Sequence, residues 1–204
     1  LVVGVKDNDI YADPVLFARQ QFRDFLGREG DGGGIDLVPL EAGLLFAPVP
    51  HEGNGQRSEE EAEAIEVLVK ALVGRPVTDK RGREAGTLEA SDILVVAPYN
   101  LQVRELTARM PAGVRVGTVD KFQGQEARVA IVSLTASDGD AAARGLEFVL
   151  DRRRLNVAVS RAQSLAIVVA SPALARARCA TVPQLRLLNT LCRVLEAGAA
   201  GASR

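Results

Sequence analysis

Short apolar runs of strand length alternate along this chain with stretches whose apolar residues recur at helical spacing. Leu44–Val49 is such a run, ended by Pro50, and His51–Gly55 reads as a turn. From Ser58 onward Ile65, Leu68, Val69 and Leu72 fall at i, i+3, i+4 and i+7, so one stripe of a helix faces a core. Ser58 and Glu61 have capping-box spacing, and Glu59–Glu61 suit the positive end of the helix dipole. Gly74 and Pro76 close that helix, and the charged residues 75–90 read as a surface loop. Ile93–Ala97 is continuously apolar, as a strand covered on both faces requires. Asn100 is expected to cap the next helix, with Leu101, Leu106 and Met110 pointing inward and Pro111 ending it. Val114–Gly117 and Val129–Leu134 read as strands around a polar turn, and the basic helix Arg152–Arg161 feeds a last strand, Leu165–Ala170. The alternation predicts an α/β fold with a mostly parallel sheet and right-handed crossovers. Leu1–Val5 has strand character, and Val15–Leu26 has helical spacing behind Asp13 and Pro14. The Gly/Ala/Ser-rich tail after Glu196 is expected to fray.

A chain of 204 residues makes one domain with an aliphatic core, since there is no Trp. Net charge is −1, so any nucleic-acid site must be a local patch. Cys179 and Cys192 lack metal-ligand spacing and His51 is the single histidine, which argues against zinc and His-dependent catalysis and leaves no metal site to assign. No run reaches the length of a membrane span and no secretory signal precedes the fold, so a reducing, cytoplasmic setting without membrane contact is expected. The chain opens on Leu1 and its one methionine is Met110, as expected of a piece of a longer polypeptide.

Function concentrates between Val114 and Ser171. Thr118-Val119-Asp120-Lys121-Phe122-Gln123-Gly124-Gln125-Glu126 resembles motif V of the superfamily-one helicases that move five-prime to three-prime. RRRLNVAVSRA at Arg152–Ala162 resembles their motif VI, and ILVVAPYNLQ at Ile93–Gln102 resembles motif IV. With boundaries at 93–102, 116–126 and 152–162, these motifs place residues 44–196 as the second, RecA-like motor domain, a three-layer fold of the P-loop-NTPase type. Residues 1–43 do not match the family, and 197–204 form the tail. The strings GLLFAPVPHEGN, ILVVAPYNLQV, VGTVDKFQGQEA and RLNVAVSRA are together similar to the helicase half of bacterial proteins that join a RecB-like nuclease region to this motor.

The resemblance implies roles for particular residues. Arg161 matches the arginine finger that enters the neighbouring domain's ATP site, where a planar, permanent cation meets charge developing on the γ-phosphate. Its plainer reading is a surface Arg paired with a carboxylate such as Asp151. Gln123 would sense the γ-phosphate, Glu126 would accept from the ribose hydroxyls, and Gly124 would allow close approach of backbone or ligand. Arg154 is either a nucleotide contact or a residue that holds the motif VI helix through a carboxylate; Asn156 and Ser160 read as structural support. Thr118 and Lys121 are candidate phosphate contacts to a single strand, Thr118 and Asp120 would cap the turn, and Phe122 reads as core. Tyr99, Asn100 and Gln102 close a strand where backbone or base could lie, although a buried, locally satisfied Tyr fits as well. Ligands in open parallel sheets bind beyond the carboxyl ends of the strands, and that rule places both motif turns where a partner surface can reach them.

Two features are missing from the sequence: a G-x-x-x-x-G-K-[ST] phosphate loop and an Asp-Glu strand end for magnesium. ATP and Mg2+ are therefore expected to be held mainly by a first motor domain of the same parent protein. The partners implied are that phosphate-loop domain, single-stranded nucleic acid, with DNA preferred over RNA, and an attached RecB-like nuclease region. Asp36 and Glu41 lack the Glu-x-Lys pattern of a metal-dependent nuclease, Gly43 standing where the Lys belongs. The family's Tyr/Trp-Arg-Met-His-Pro segment is missing too. One expectation is thus a motor half that is inactive alone; the other is a non-enzymatic binding module on a degenerate RecA-like fold.

Overall fold

The computed structural model describes residues 42–78, 83–138 and 145–201, without the side chains of 152, 153 and 197–201. The strand expected at Leu1–Val5, the helix expected at Val15–Leu26 and the pair Asp36 and Glu41 lie outside the described residues. Strands β1 (Gly43–Pro48), β4 (Ile93–Val96), β5 (Arg115–Gly117), β6 (Ala127–Ser133) and β7 (Ala162–Ala170) form one sheet in the order β1-β7-β6-β4-β5. Every pairing in it is parallel. The charged stretch read as a loop contains instead a small antiparallel hairpin, β2 (Pro76–Thr78) against β3 (Glu84–Thr87), whose Val77 packs on the core.

Period-two alternation divides the central strands between two apolar layers. Leu45, Ile93, Val95, Val129, Ile131, Leu165 and Ile167 face helices α1 (Glu59–Leu72) and α2 (Asn100–Arg109). Leu94, Val96, Val132, Val168 and Ala170 face α3 (Leu146–Val149), α4 (Arg152–Val159) and α5 (Val182–Gly201). Helices on both faces of a parallel sheet are the three layers of a RecA-like fold. Phe122 is 2% exposed and belongs to the second layer, as its apolar ring requires.

Several local expectations change. Tyr99, not Asn100, precedes the first helical residue of α2, and no side chain caps that end. Leu101 is 47% exposed rather than inward, because Gln102 and Leu106, four apart, take the buried face of α2. Residues 197–201 continue α5 as helix beyond Glu196. At α1 Ser58 Oγ accepts from Glu61 N at 3.1 Å, but the Glu61 side chain does not reach back to close the box. The Ser58 N–H donates to Gln102 Oε1 instead, at 2.8 Å.

Candidate functional site

The strand registers define two edges of the sheet. Gly117 lies level with Val96, and Val96 with Val132, so Thr118 and Tyr99 stand at the carboxyl edge. Ala127 pairs with Ala162, so Glu126 and Arg161 stand at the amino edge. Segment 118–126 therefore crosses the sheet from one edge to the other, through a 3-10 turn at Val119–Phe122. Helix α4 makes a second crossing: Arg154 is in its first turn at the carboxyl edge, and the chain beyond its last turn delivers Arg161 to the amino edge. The carboxyl-end rule thus accounts for Tyr99, Asn100, Thr118 and Arg154 but not for Glu126 and Arg161.

At the carboxyl edge a cleft of about 280 Å³ is lined by Gln56, Tyr99, Asn100, Thr118, Asp120, Phe148 and Arg154. Tyr99 is 4% exposed, its ring centroid 5.2 Å from that of Phe148. The Arg154 guanidinium carbon lies 4.2 Å from the Phe148 ring centroid, a cation–π geometry. Asp151 Oδ1 accepts from Arg154 N at 3.0 Å and so caps α4. Thr118 opens the 3-10 turn through its carbonyl, without the side-chain cap expected of it. Lys121 is not in this cleft: its Nζ donates to Val116 O at 2.9 Å and its stem lies on the outer side of β5 with Phe122 and Gln125.

At the amino edge Arg161 Nε donates to Val157 O at 3.1 Å and Nη1 to Gln125 O at 3.4 Å. Nη2 lies 3.4 Å from Ser160 Oγ. Among the described residues no carboxylate lies within ion-pair distance of Arg161, and Asp151 sits at the far end of α4. Glu126 is exposed, and its Oε2 accepts from Gln163 Nε2 at 3.2 Å. Arg115 Nη2 donates to the Glu126 carbonyl at 3.1 Å, fixing the backbone there. Gln123 and Gly124 are exposed between the two edges. Gly124 has φ +78° with nothing within 4 Å of a Cβ, so glycine is needed for its backbone conformation and not, within this chain, for close approach.

Between the start of α1 and the end of β6 lies a buried polar network that no sequence motif announces. Glu61, 0% exposed, is 3.0 Å from His51 Nε2 and accepts from Ser133 Oγ at 2.5 Å. The Thr135 N–H reaches both of its oxygens, at 3.1 and 2.9 Å. His51 Nδ1 is 2.7 Å from Ser137 Oγ, and Gln102 Nε2 donates to Ser58 O and Ser133 Oγ. The network pins the loop after β1, the start of α1, helix α2 and the end of β6 together. Partial burial works against ionisation of the neighbouring Glu60, but hydrogen bonds from its backbone, Asn54 and Ser58 outweigh it and hold that carboxyl below its ordinary range.

The geometry brings Arg161 and Glu126 to one edge and Tyr99, Asn100, Thr118 and Arg154 to the other. Arg154 therefore stands apart from the other residues assigned to the nucleotide. Phe148 and Gln56 of the cleft, and Arg115, Gln125 and Gln163 of the amino edge, are functional candidates that sequence reasoning misses. The signal available for Phe148 is a single aromatic residue just ahead of a basic helix. Among the described residues no cluster of His, Cys, Asp and Glu could hold a metal ion, and no helix is long and apolar enough to cross a membrane.

A family model described as an AAA domain matches residues 49–173. The chain is 47% identical over 81 residues to the DNA polymerase alpha-associated DNA helicase A of Schizosaccharomyces pombe, covering 38% of this chain and 12% of that protein. It is 36% identical over 136 residues to the mouse DNA replication ATP-dependent helicase/nuclease DNA2, covering 65% and 12%. Against the chicken putative helicase MOV-10 the identity is 32% over 184 residues, covering 78% and 19%. The chain thus spans less than a fifth of the length of these curated relatives. A matched region that takes in both sheet edges, on a three-layer parallel sheet, makes this chain a member of the AAA-domain family, as a superfamily-one helicase domain.

Proposed function

We propose that this chain is the second motor domain of an ATP-dependent helicase or translocase, with residues 44–196 as the folded unit. The amino edge presents Arg161 as the finger and Glu126 as the ribose contact to ATP and Mg2+ held by a phosphate-loop domain of the same parent. Gln123 and Gly124 lie on the path between that edge and the strand. The carboxyl-edge cleft takes single-stranded nucleic acid, read as DNA, through Tyr99, Asn100, Thr118 and Arg154.

One observation carries the reading: among the described residues the Arg161 guanidinium is held by carbonyls and a hydroxyl and by no carboxylate, beside the motif V backbone and on the same edge as Glu126. A structural arginine would neutralise itself on a carboxylate; a finger keeps its charge for a phosphate. Mixing this chain with the separately produced phosphate-loop domain is the test. ATP turnover stimulated by a single strand should appear only on mixing. Arg161→Ala should lower it by about three orders of magnitude or more. A mixture that binds but stays silent assigns the chain to the binding-module class.

A further inference from the structure

From Pro172 to Leu195 the chain carries Arg176, Arg178, Arg186 and Arg193 and no Asp or Glu, in a protein whose net charge is −1. All four are exposed, and among the described residues none of them has a carboxylate within ion-pair distance. Arg176 and Arg178 follow the end of β7, on the carboxyl edge. Arg186 and Arg193 are seven apart on α5, hence on one face, with exposed Asn189 between them. That helix packs from Leu187 onward, Leu188 and Leu191 being 8% and 0% exposed, whereas Val182 and Leu185 are 63% and 49% exposed. Its first turn is closed by Thr181 Oγ1, which accepts from Gln184 N, and Gln184 Oε1, which accepts from Thr181 N and Ala180 N. The helix start is therefore already satisfied, and the charge of this surface comes from the guanidinium groups alone.

This surface and the cleft are linked through α3: α5 lies chiefly on β1 and also packs against α3, whose Phe148 lines the cleft, while β7, which leads to Arg176, is two strand spacings, about 10 Å, from β4. We propose that Arg176, Arg178, Arg186 and Arg193 form a second, sequence-independent contact with the nucleic-acid phosphate backbone. It receives the strand as it leaves the carboxyl-edge cleft. The inference rests on the cleft reading above and extends it to residues that no motif marks. Four guanidiniums without carboxylate partners on a nearly neutral protein suit a phosphate array, since each neutralised phosphate releases counterions without any desolvated carboxylate to compete. The exposed Val182 and Leu185 lie beside the arginines and offer apolar surface to sugars and base faces.

Fluorescence anisotropy of this chain with labelled oligo-dT of about six and about twenty nucleotides, across a salt series, tests it. The quadruple Arg→Ala variant should bind the short oligonucleotide like wild type and the long one about tenfold or more weakly. The slope of log K against log salt should shrink by roughly 0.7 for each phosphate no longer neutralised. Four Arg→Lys changes should restore most of the slope. Arg154→Ala, in the cleft, should weaken both lengths. All variants should melt like wild type, the changed side chains being exposed. Long-oligonucleotide binding that survives the quadruple change overturns this inference and leaves the cleft reading standing; failure of wild type to bind either length overturns both. If polyglutamate binds as tightly as the long oligonucleotide and is lost equally, the surface reads acidic protein, and the inference also falls.

Discussion

At the scale of single residues the motifs and the buried network behave differently. Arg161, Glu126 and Tyr99 are legible because their neighbours in sequence form extended motifs; their grouping into two edges needs the strand registers. Glu61 is not legible that way. Its spacing from Ser58 announces a cap, and nothing local says that Ser133 and Thr135, more than seventy positions away, take its oxygens instead. Glu61→Ala should strip several buried donors of their acceptor and cost at least about 3 kcal/mol in urea unfolding. Thr135 has φ +72°, strained for a β-branched residue, and the strain is held by its N–H on Glu61. Thr135→Gly should relieve it and leave stability unchanged or raised by about 1 kcal/mol, whereas glycine at an ordinary strand position would lower it. A Cβ at Gly117 would lie 2.6 Å from Lys121 Cδ and 2.9 Å from Phe122 Cε2. The lysine can swing away but the buried ring cannot, so Gly117→Ala should cost about 1–3 kcal/mol.

At the scale of elements, periodicity recovers every central strand and α1. It misses the β2–β3 hairpin, whose strands are short and almost wholly exposed and so carry no alternation to detect. It also misplaces the start of α2, because Tyr99 packs on Phe148 and tertiary packing, not a capping side chain, fixes that end. α4 is only eight residues long, below the length at which a helix holds itself in water. Its first turn depends on Asp151, so Asp151→Ala should cost about 1 kcal/mol. Because α4 ties Arg154 to Arg161, the same change should lower both strand affinity and reconstituted ATP turnover, read by anisotropy and phosphate release.

At the scale of the whole molecule, stability toward acid rests on particular carboxylates. The hydrogen bond from Arg109 holds the Glu105 carboxyl below its ordinary 4.5; the charges of Arg57 and Arg109 add to it, against partial desolvation. A carboxyl with a lowered folded-state pKa is protonated first in the unfolded chain. Its stabilisation is present above about 4.5 and is lost as pH falls through the lowered value. Urea midpoints measured from pH 7 down to about pH 3 should therefore fall less steeply for Glu105→Gln than for wild type over that window.

The sheet order has a consequence for how this chain is made. Among the described strands β1 hydrogen-bonds to β7 alone, Gly43 lying opposite Leu165. A ribosome adding about 5–20 residues per second leaves GLLFAP without its partner for roughly 6–25 s, while β4, β5 and β6 emerge and can already pair. During that interval the nascent chain presents an apolar strand and the open flank of β6 together, a template for pairing with another copy. Synthesis halted before Ala162 should therefore yield aggregates, and a chaperone that shields extended apolar segments should be needed most over that interval.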